Sequence, residues 1–246
     1  MLVAAAPAAA ITYGTPDTTG LYPNVGSIVV QRTNGTYAQF CSGTLIGPGV
    51  FLTAAHCTSY LEERDLEART FITFSPSLEG AVLIPVTELV TYEGYNRRQS
   101  DPGDIAVVLF DAALTPEGLE PAALPTLGYL DGLDLRGATF TAVGYGSLER
   151  TNGGGQPVYG DSPLRMYAFS GFNALNKAYL RLSQNPATGN GGTCYGDSGG
   201  PNFLGDTLVA ITITGDAICR ATNTVYRLDT REVRDFLGQF EGVVLP

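Results

Sequence analysis

"GGTCYGDSGGP", residues 191–201, crowds glycines around one serine and contains G-x-S-x-G at Gly196-Asp197-Ser198-Gly199-Gly200. That pattern marks an activated serine in more than one hydrolase fold. Alone it is a weak signal, because serine and glycine are also ordinary turn residues. A serine hydroxyl becomes a nucleophile only when a base takes its proton and an acid orients the base. The chain holds a single histidine, His56, so the base is fixed and chain order becomes a test. An α/β-hydrolase elbow requires its histidine after the nucleophile, and none follows Ser198. An acid–His–Ser order would leave only Asp17, in the turn-like "TPDTTG". The order that remains is His–acid–Ser.

Among the intervening acids Asp104 is favoured. It opens "DIAVVLF" (104–110), an apolar run that draws it towards the core. A buried carboxylate needs a partner, and an imidazole N–H is a suitable one. Asp101 is the rival, but it precedes Pro102-Gly103 and reads as an exposed turn. An aspartate that merely starts a strand would look the same in isolation.

The bulk numbers narrow the class. A chain of 246 residues with 44% apolar content can bury a sizeable core. Its 14 basic and 24 acidic residues leave a net charge of −10, which repels phosphate backbones and anionic lipid. Neither nucleic acid nor a membrane surface is an expected partner, and no apolar run reaches the ~20 residues of a spanning helix. One histidine removes polyhistidine metal sites, and the four cysteines, Cys41, Cys57, Cys194 and Cys219, show no C-x-x-C spacing. No metal or organic cofactor is expected. The cysteines read instead as two disulfides, hence an oxidising compartment, with three pairings open. "MLVAAAPAAA" (1–10) ends in A-x-A and reads as a signal-peptide remnant or propeptide. Secretion is the expected localisation.

Strand signals dominate the rest: 25–32, 70–74, 81–86, 104–110, 138–145, 164–169, 208–214 and 223–228 are short, β-branched or aromatic, and bounded by turn residues. Asn34-Gly35 predicts a type I′ hairpin, and with Thr36 it also forms a glycosylation sequon. A proline-bearing stretch, 112–137, reads as a linker between two β halves. "DTREVRDFLGQF" (229–240) predicts a terminal helix with Asp229 and Glu232 as capping pair and Val233, Phe236 and Leu237 on one face. Two β-barrels and a terminal helix fit these signals.

"LTAAHC" (52–57), "DIAVVLF" and "GDSGGP" (196–201) resemble the three signature segments of the chymotrypsin/trypsin family of serine proteases, in that family's order. "ITYG" at Ile11 resembles its mature N-terminus, and "VGYGS" (143–147) the start of its second barrel. The resemblance implies an all-β fold of two six-stranded antiparallel barrels with a C-terminal α-helix. The first barrel would span 11–120, and the second, with the helix, 121–246, the site lying between them. It implies a serine endopeptidase with His56 as base, Asp104 as its orienter and Ser198 as nucleophile. The N–H groups of Gly196 and Ser198 would form the oxyanion hole. It pairs Cys41 with Cys57, closing a loop of about 15 residues worth about 3 kcal/mol in chain entropy, and Cys194 with Cys219. It also assigns Asp197 to the α-amine of Ile11 once the chain is cut after Ala10.

Pocket residues by resemblance are Gly192 at the floor, Thr193, Gly215 and Thr224, which favour small or medium apolar side chains; Asp216 near the mouth keeps a basic preference open. The chain departs from the family in having no tryptophan, with Thr214 and Tyr145 in the usual tryptophan places. The serine that commonly supports the buried aspartate is replaced near Ile213, with Thr212 or Thr214 as candidates to take over. The implied partners are a protein or peptide substrate and, as a further class, a protein inhibitor, acting on a monomer. The rival functions on the same fold are a catalytically inactive binding protein and an esterase.

Overall fold

β-branched runs pair where both faces can be buried, and the computed structural model is built almost wholly of such pairs; it describes residues 11–151, 158–161 and 164–246. Met1–Ala10, read above as a signal remnant or propeptide, lie outside the described residues. A two-residue strand, β1 (Thr15–Pro16), is followed by β2 (Val25–Gln31), β3 (Tyr37–Gly47), β4 (Val50–Thr53), helix α1 (Ala55–Glu62), β5 (Thr70–Thr73), β6 (Ile84–Thr91) and β7 (Ala106–Phe110). The second half holds β8 (Thr139–Gly144), β9 (Ser147–Thr151), β10 (Val158–Asp161), β11 (Met166–Leu175), β12 (Tyr179–Ser183), β13 (Pro201–Leu204), β14 (Thr207–Gly215), β15 (Thr222–Arg227) and helix α2 (Arg231–Leu237).

Strands β2-β3-β4-β7-β6-β5 close a first antiparallel barrel. In the second, β11-β12-β15-β14-β13-β8 closes through the β11–β8 pairing, with β1 added beside β11 and β9–β10 forming a separate hairpin. Two six-stranded barrels and a C-terminal helix are the expected fold class. Val25, Ile28, Leu45, Phe51, Ile72 and Val107 fill the first barrel; Phe140, Leu180, Leu182, Val209 and Val225 fill the second. The connection over 112–137 is strapped to both, since Ala122 N–H donates to the Leu45 carbonyl and Ala123 bridges to Thr207.

Three local expectations are corrected, and one helix is new. The strand expected at 81–86 is β6, starting at Ile84, and Val82 is exposed; β6 is amphipathic, so the apolar run misplaced it. The β2–β3 turn is not type I′: only Gly35 has positive φ (+83°), and Gly35 N–H bonds to the Arg32 carbonyl. A type I turn followed by a left-handed glycine makes the three-residue loop instead. Thr230, not Asp229, caps α2 by accepting from Val233 N–H. Asp229 is held inside, where its carboxylate pairs with Arg227 and accepts the Leu130 N–H at 2.8 Å. Finally, α1 was not foreseen. The apolar face of α2 does lie as expected, with Val233, Phe236 and Leu237 buried.

One buried ion pair bolts the two barrels together. Arg165, leading into β11, donates to Asp17 Oδ2 at 2.8 Å and to the carbonyls of Val25 and Phe74 on the first barrel, each at 3.1 Å. Tyr145 completes the junction by donating to the Ser75 carbonyl at 2.8 Å. Burial alone would push the Asp17 carboxyl up, but the Leu21 N–H, the Arg165 guanidinium and the Tyr22 N–H together hold it below the usual carboxylate range. Removing one partner of such a pair leaves an uncompensated charge. Arg165→Met should therefore lose about 3 kcal/mol in urea unfolding, and Asp17→Asn added to it should recover part of that loss.

Candidate active site

His56 is placed by a helix start. β4 runs into α1, and His56 is the second residue of that helix, whose N-cap, Ala54, offers no side-chain hydrogen bond. The first N–H groups of a helix lack intrahelical acceptors, and a carboxylate is favourable there. Asp104, just before β7, supplies it: Oδ1 accepts the His56 backbone N–H at 2.9 Å, and Oδ2 lies 2.9 Å from His56 Nδ1. One carboxylate thus fixes both the helix end and the imidazole. The Asp104 side chain is 9% exposed and that of His56 28%, so the ring keeps an open edge. Asp101, the rival acid, bonds locally to Gly103 N–H.

Ser198 lines the same cleft, about 780 Å³ between the barrels, as His56 and Asp104. Among the described residues no hydrogen bond joins its hydroxyl to the imidazole; such contacts commonly tighten only when substrate binds. Its loop is pinned on every side. Ser42 N–H donates to the Ser198 carbonyl at 2.8 Å, Gly199 N–H to Thr212 at 2.7 Å, and Gly200 N–H to Asp197 at 2.9 Å. The glycines are required here: Gly196 and Gly199 have φ of +93° and +78°. A Cβ on Gly199 would also strike the Thr53 hydroxyl and the Ser42 carbonyl. The Gly196 carbonyl is taken by Gln39 and Ser42 side chains, while the N–H groups of Gly196 and Ser198 have no protein acceptor among the described residues.

Both disulfides are present, Cys41–Cys57 beside His56 and Cys194–Cys219 beside the Ser198 loop. The sulfurs of Cys41 and Cys57 lie close to the imidazole, but joined to each other they offer no thiolate to a metal.

Asp197 is fully buried, and burial pushes its carboxyl up to about 7, against the lowering effect of the Cys194 and Gly146 N–H groups at 2.9 and 2.8 Å. No ion pair reaches it among the described residues. Ile11 is fully buried among Ala142, Leu148, Met166 and Ala168, and the next residue, Thr12, bridges to Gly192.

A smaller pocket of about 250 Å³ adjoins Ser198, with Thr193, Tyr195, Thr214, Gly215 and Asp216 in its wall. Thr224 lines the larger cleft instead, and Gly192 lines neither. Behind Gly192 the buried Gln184 fills the space a side chain would need; its Oε1 accepts Thr193 N–H at 2.9 Å and its amide donates to Asp216 at 3.3 Å. Burial would raise the Asp216 carboxyl, but the N–H groups of Thr222, Ala221 and Arg220 and the Gln184 amide hold it low. Asp216 is therefore occupied in shaping its own loop. Thr212 accepts from the Asn202 amide, and neither Thr212 nor Thr214 bonds to Asp104 among the described residues. No sequence signal marked Gln184, whose role is set by distant loops.

Comparison with known proteins points one way. A family model described as Trypsin matches residues 11–233. Trypsin epsilon of Drosophila erecta is 28% identical over 187 residues, covering 72% of this chain and 68% of that protein. A trypsin of Saccharopolyspora erythraea is 28% identical over 188 residues, covering 74% and 78%. Among solved structures, HL collagenase superposes with a TM-score of 0.70 at 18% identity, covering 93% of this chain and 97% of the other. At that identity the likeness is one of fold.

Proposed function

The chain belongs to the trypsin family and is a serine-type endopeptidase, and on that premise we propose that it cleaves peptide bonds through His56, Asp104 and Ser198 and an acyl-enzyme intermediate. The two-point contact of Asp104 with His56, facing Ser198 across one cleft, carries the reading. His56 Nε2 takes the Ser198 hydroxyl proton as the oxygen attacks the scissile carbonyl. The oxygen of the tetrahedral intermediate accepts from the Gly196 and Ser198 N–H groups. The imidazolium then gives its proton to the departing amine, leaving the acyl group on Ser198. Water, deprotonated by His56, attacks the ester and returns the serine. Asp104 holds the proton-bearing Nδ1 and stabilises the imidazolium throughout.

The small pocket beside Ser198 takes a small or medium apolar side chain, because its one carboxylate, Asp216, is satisfied by its own loop. The protein is secreted: A-x-A precedes Ile11 and its cysteines are paired. No helix among the described residues is long and apolar enough to cross a membrane. A cut after Ala10 frees the Ile11 amine as the cation that the buried Asp197 lacks.

A fluorophosphonate probe tests the chemistry. Labelling of Ser198 in chain starting at Ile11, lost in His56→Ala, is the expected result. Labelling indifferent to His56, or no labelling at all, overturns it.

A further inference from the structure

The chain is acidic overall, at −10, yet its cleft carries arginines. Arg97 and Arg181 both line it, and Arg64 stacks at 5.0 Å on Tyr60, another cleft residue. Strand alternation places Arg181: Leu180 and Leu182 of β12 point into the barrel, so the residue between them points out. Its register partner is Thr224, itself opposite Thr214, which the cleft shares with the small pocket. Arg97 is held from the other side, on the loop before β7. Its Nε donates to the Tyr95 hydroxyl at 2.7 Å and its guanidinium lies 5.8 Å from that ring's centre; among the described residues both terminal nitrogens are left for a ligand.

These two differ from the structural arginines. Arg136, Arg165 and Arg227 are each paired with a carboxylate. Arg97 and Arg181 make no such pair among the described residues, and the one acid lining the cleft, Asp104, is held by His56. A guanidinium fork matches a carboxylate in shape and charge.

We propose that Arg97 and Arg181 select peptide substrates carrying Asp or Glu near the cleaved bond, separately from the residue that fills the small pocket. The proposal rests on the protease reading above and names the substrate class of that same cleft. The two arginines act on binding, and an acidic segment is also drawn to them at long range.

The test uses internally quenched peptides with Glu, Gln or Lys placed in turn at each position within a few residues of the scissile bond. Cleavage is measured with the chain starting at Ile11. At one position or more, Glu should exceed Gln by about tenfold in kcat/KM, a difference typical of one charge-assisted contact, with Lys below both. The Glu-to-Gln ratio should fall towards one in Arg97→Gln/Arg181→Gln, and in about 1 M salt, where charges are screened beyond about 3 Å. It should persist in Arg136→Gln, whose guanidinium pairs locally with Asp134. As a second measurement, Ser198→Ala should bind the preferred Glu peptide more tightly than its Gln counterpart. Equal cleavage of Glu and Gln peptides at every position, or a preference that survives the double variant, overturns this proposal alone. Failure to cleave any peptide overturns the protease reading and this one with it.

Discussion

Asparagine in place of Asp104 should lower kcat/KM by about 10⁴-fold while the chain stays folded, a magnitude carried over from trypsin-type triads rather than obtained from this geometry. The geometry supplies the reason. Asp104 serves two donors at once, the His56 backbone N–H and His56 Nδ1. An asparagine has one acceptor oxygen and one NH₂ group. If its oxygen keeps the helix N–H, its NH₂ faces Nδ1, which must then accept. The imidazole proton moves to Nε2 and the ring can no longer take one from Ser198. If the amide turns the other way, the tautomer is kept but the start of α1 loses its acceptor, at a cost of about 1 kcal/mol. The first arrangement keeps more hydrogen bonds, so activity should collapse while the urea midpoint barely moves. An Asp104→Asn chain within tenfold of the parent would show that His56 does not depend on this carboxylate.

What could be read in advance follows the distance over which each feature is decided. That His56 and Asp104 would meet in one cleft with Ser198 was legible because a lone histidine leaves few alternatives, and the apolar run after Asp104 pointed it inward. The barrel strands were legible where both faces are buried, as in β7 and β14. Helix α1 was not: it is 8 residues long, has no local cap, and takes its acceptor from Asp104, far along the chain. Thr230 displaced Asp229 as cap because Arg227 and Leu130 claim that carboxylate from inside, a competition a local pattern does not contain. The space behind Gly192 belongs to Gln184 for a similar reason. The cleft arginines look like any surface arginine in sequence; only their place in the wall of the cleft sets them apart.

Asp197 should make the uncut chain less stable as pH rises, and a cut before Ile11 should abolish that trend. Burial holds its carboxyl at about 7 against an ordinary 3.8. Between those values the folded chain keeps a proton that the unfolded chain releases, so stability falls as pH climbs and levels off above about 7. The gap corresponds to about 4 kcal/mol across that window. Urea midpoints at pH 5 and pH 8 should capture about 3 kcal/mol of it, and Asp197→Asn in the uncut chain should remove this part of the slope. Once the Ile11 amine is free it can offer the missing cation, so the carboxylate stays charged and its contribution turns favourable. Asn at 197 should then be harmful. With nothing to hold the Gly196-to-Ser198 turn against the amine, losing one oxyanion donor would cost about 10²- to 10³-fold in kcat. The sign reversal is the diagnostic: the same substitution should relieve the uncut chain at pH 8 and cripple the cut one. If Asp197→Asn leaves the uncut chain's pH dependence unchanged, this carboxyl is not the group whose charge the new amine answers.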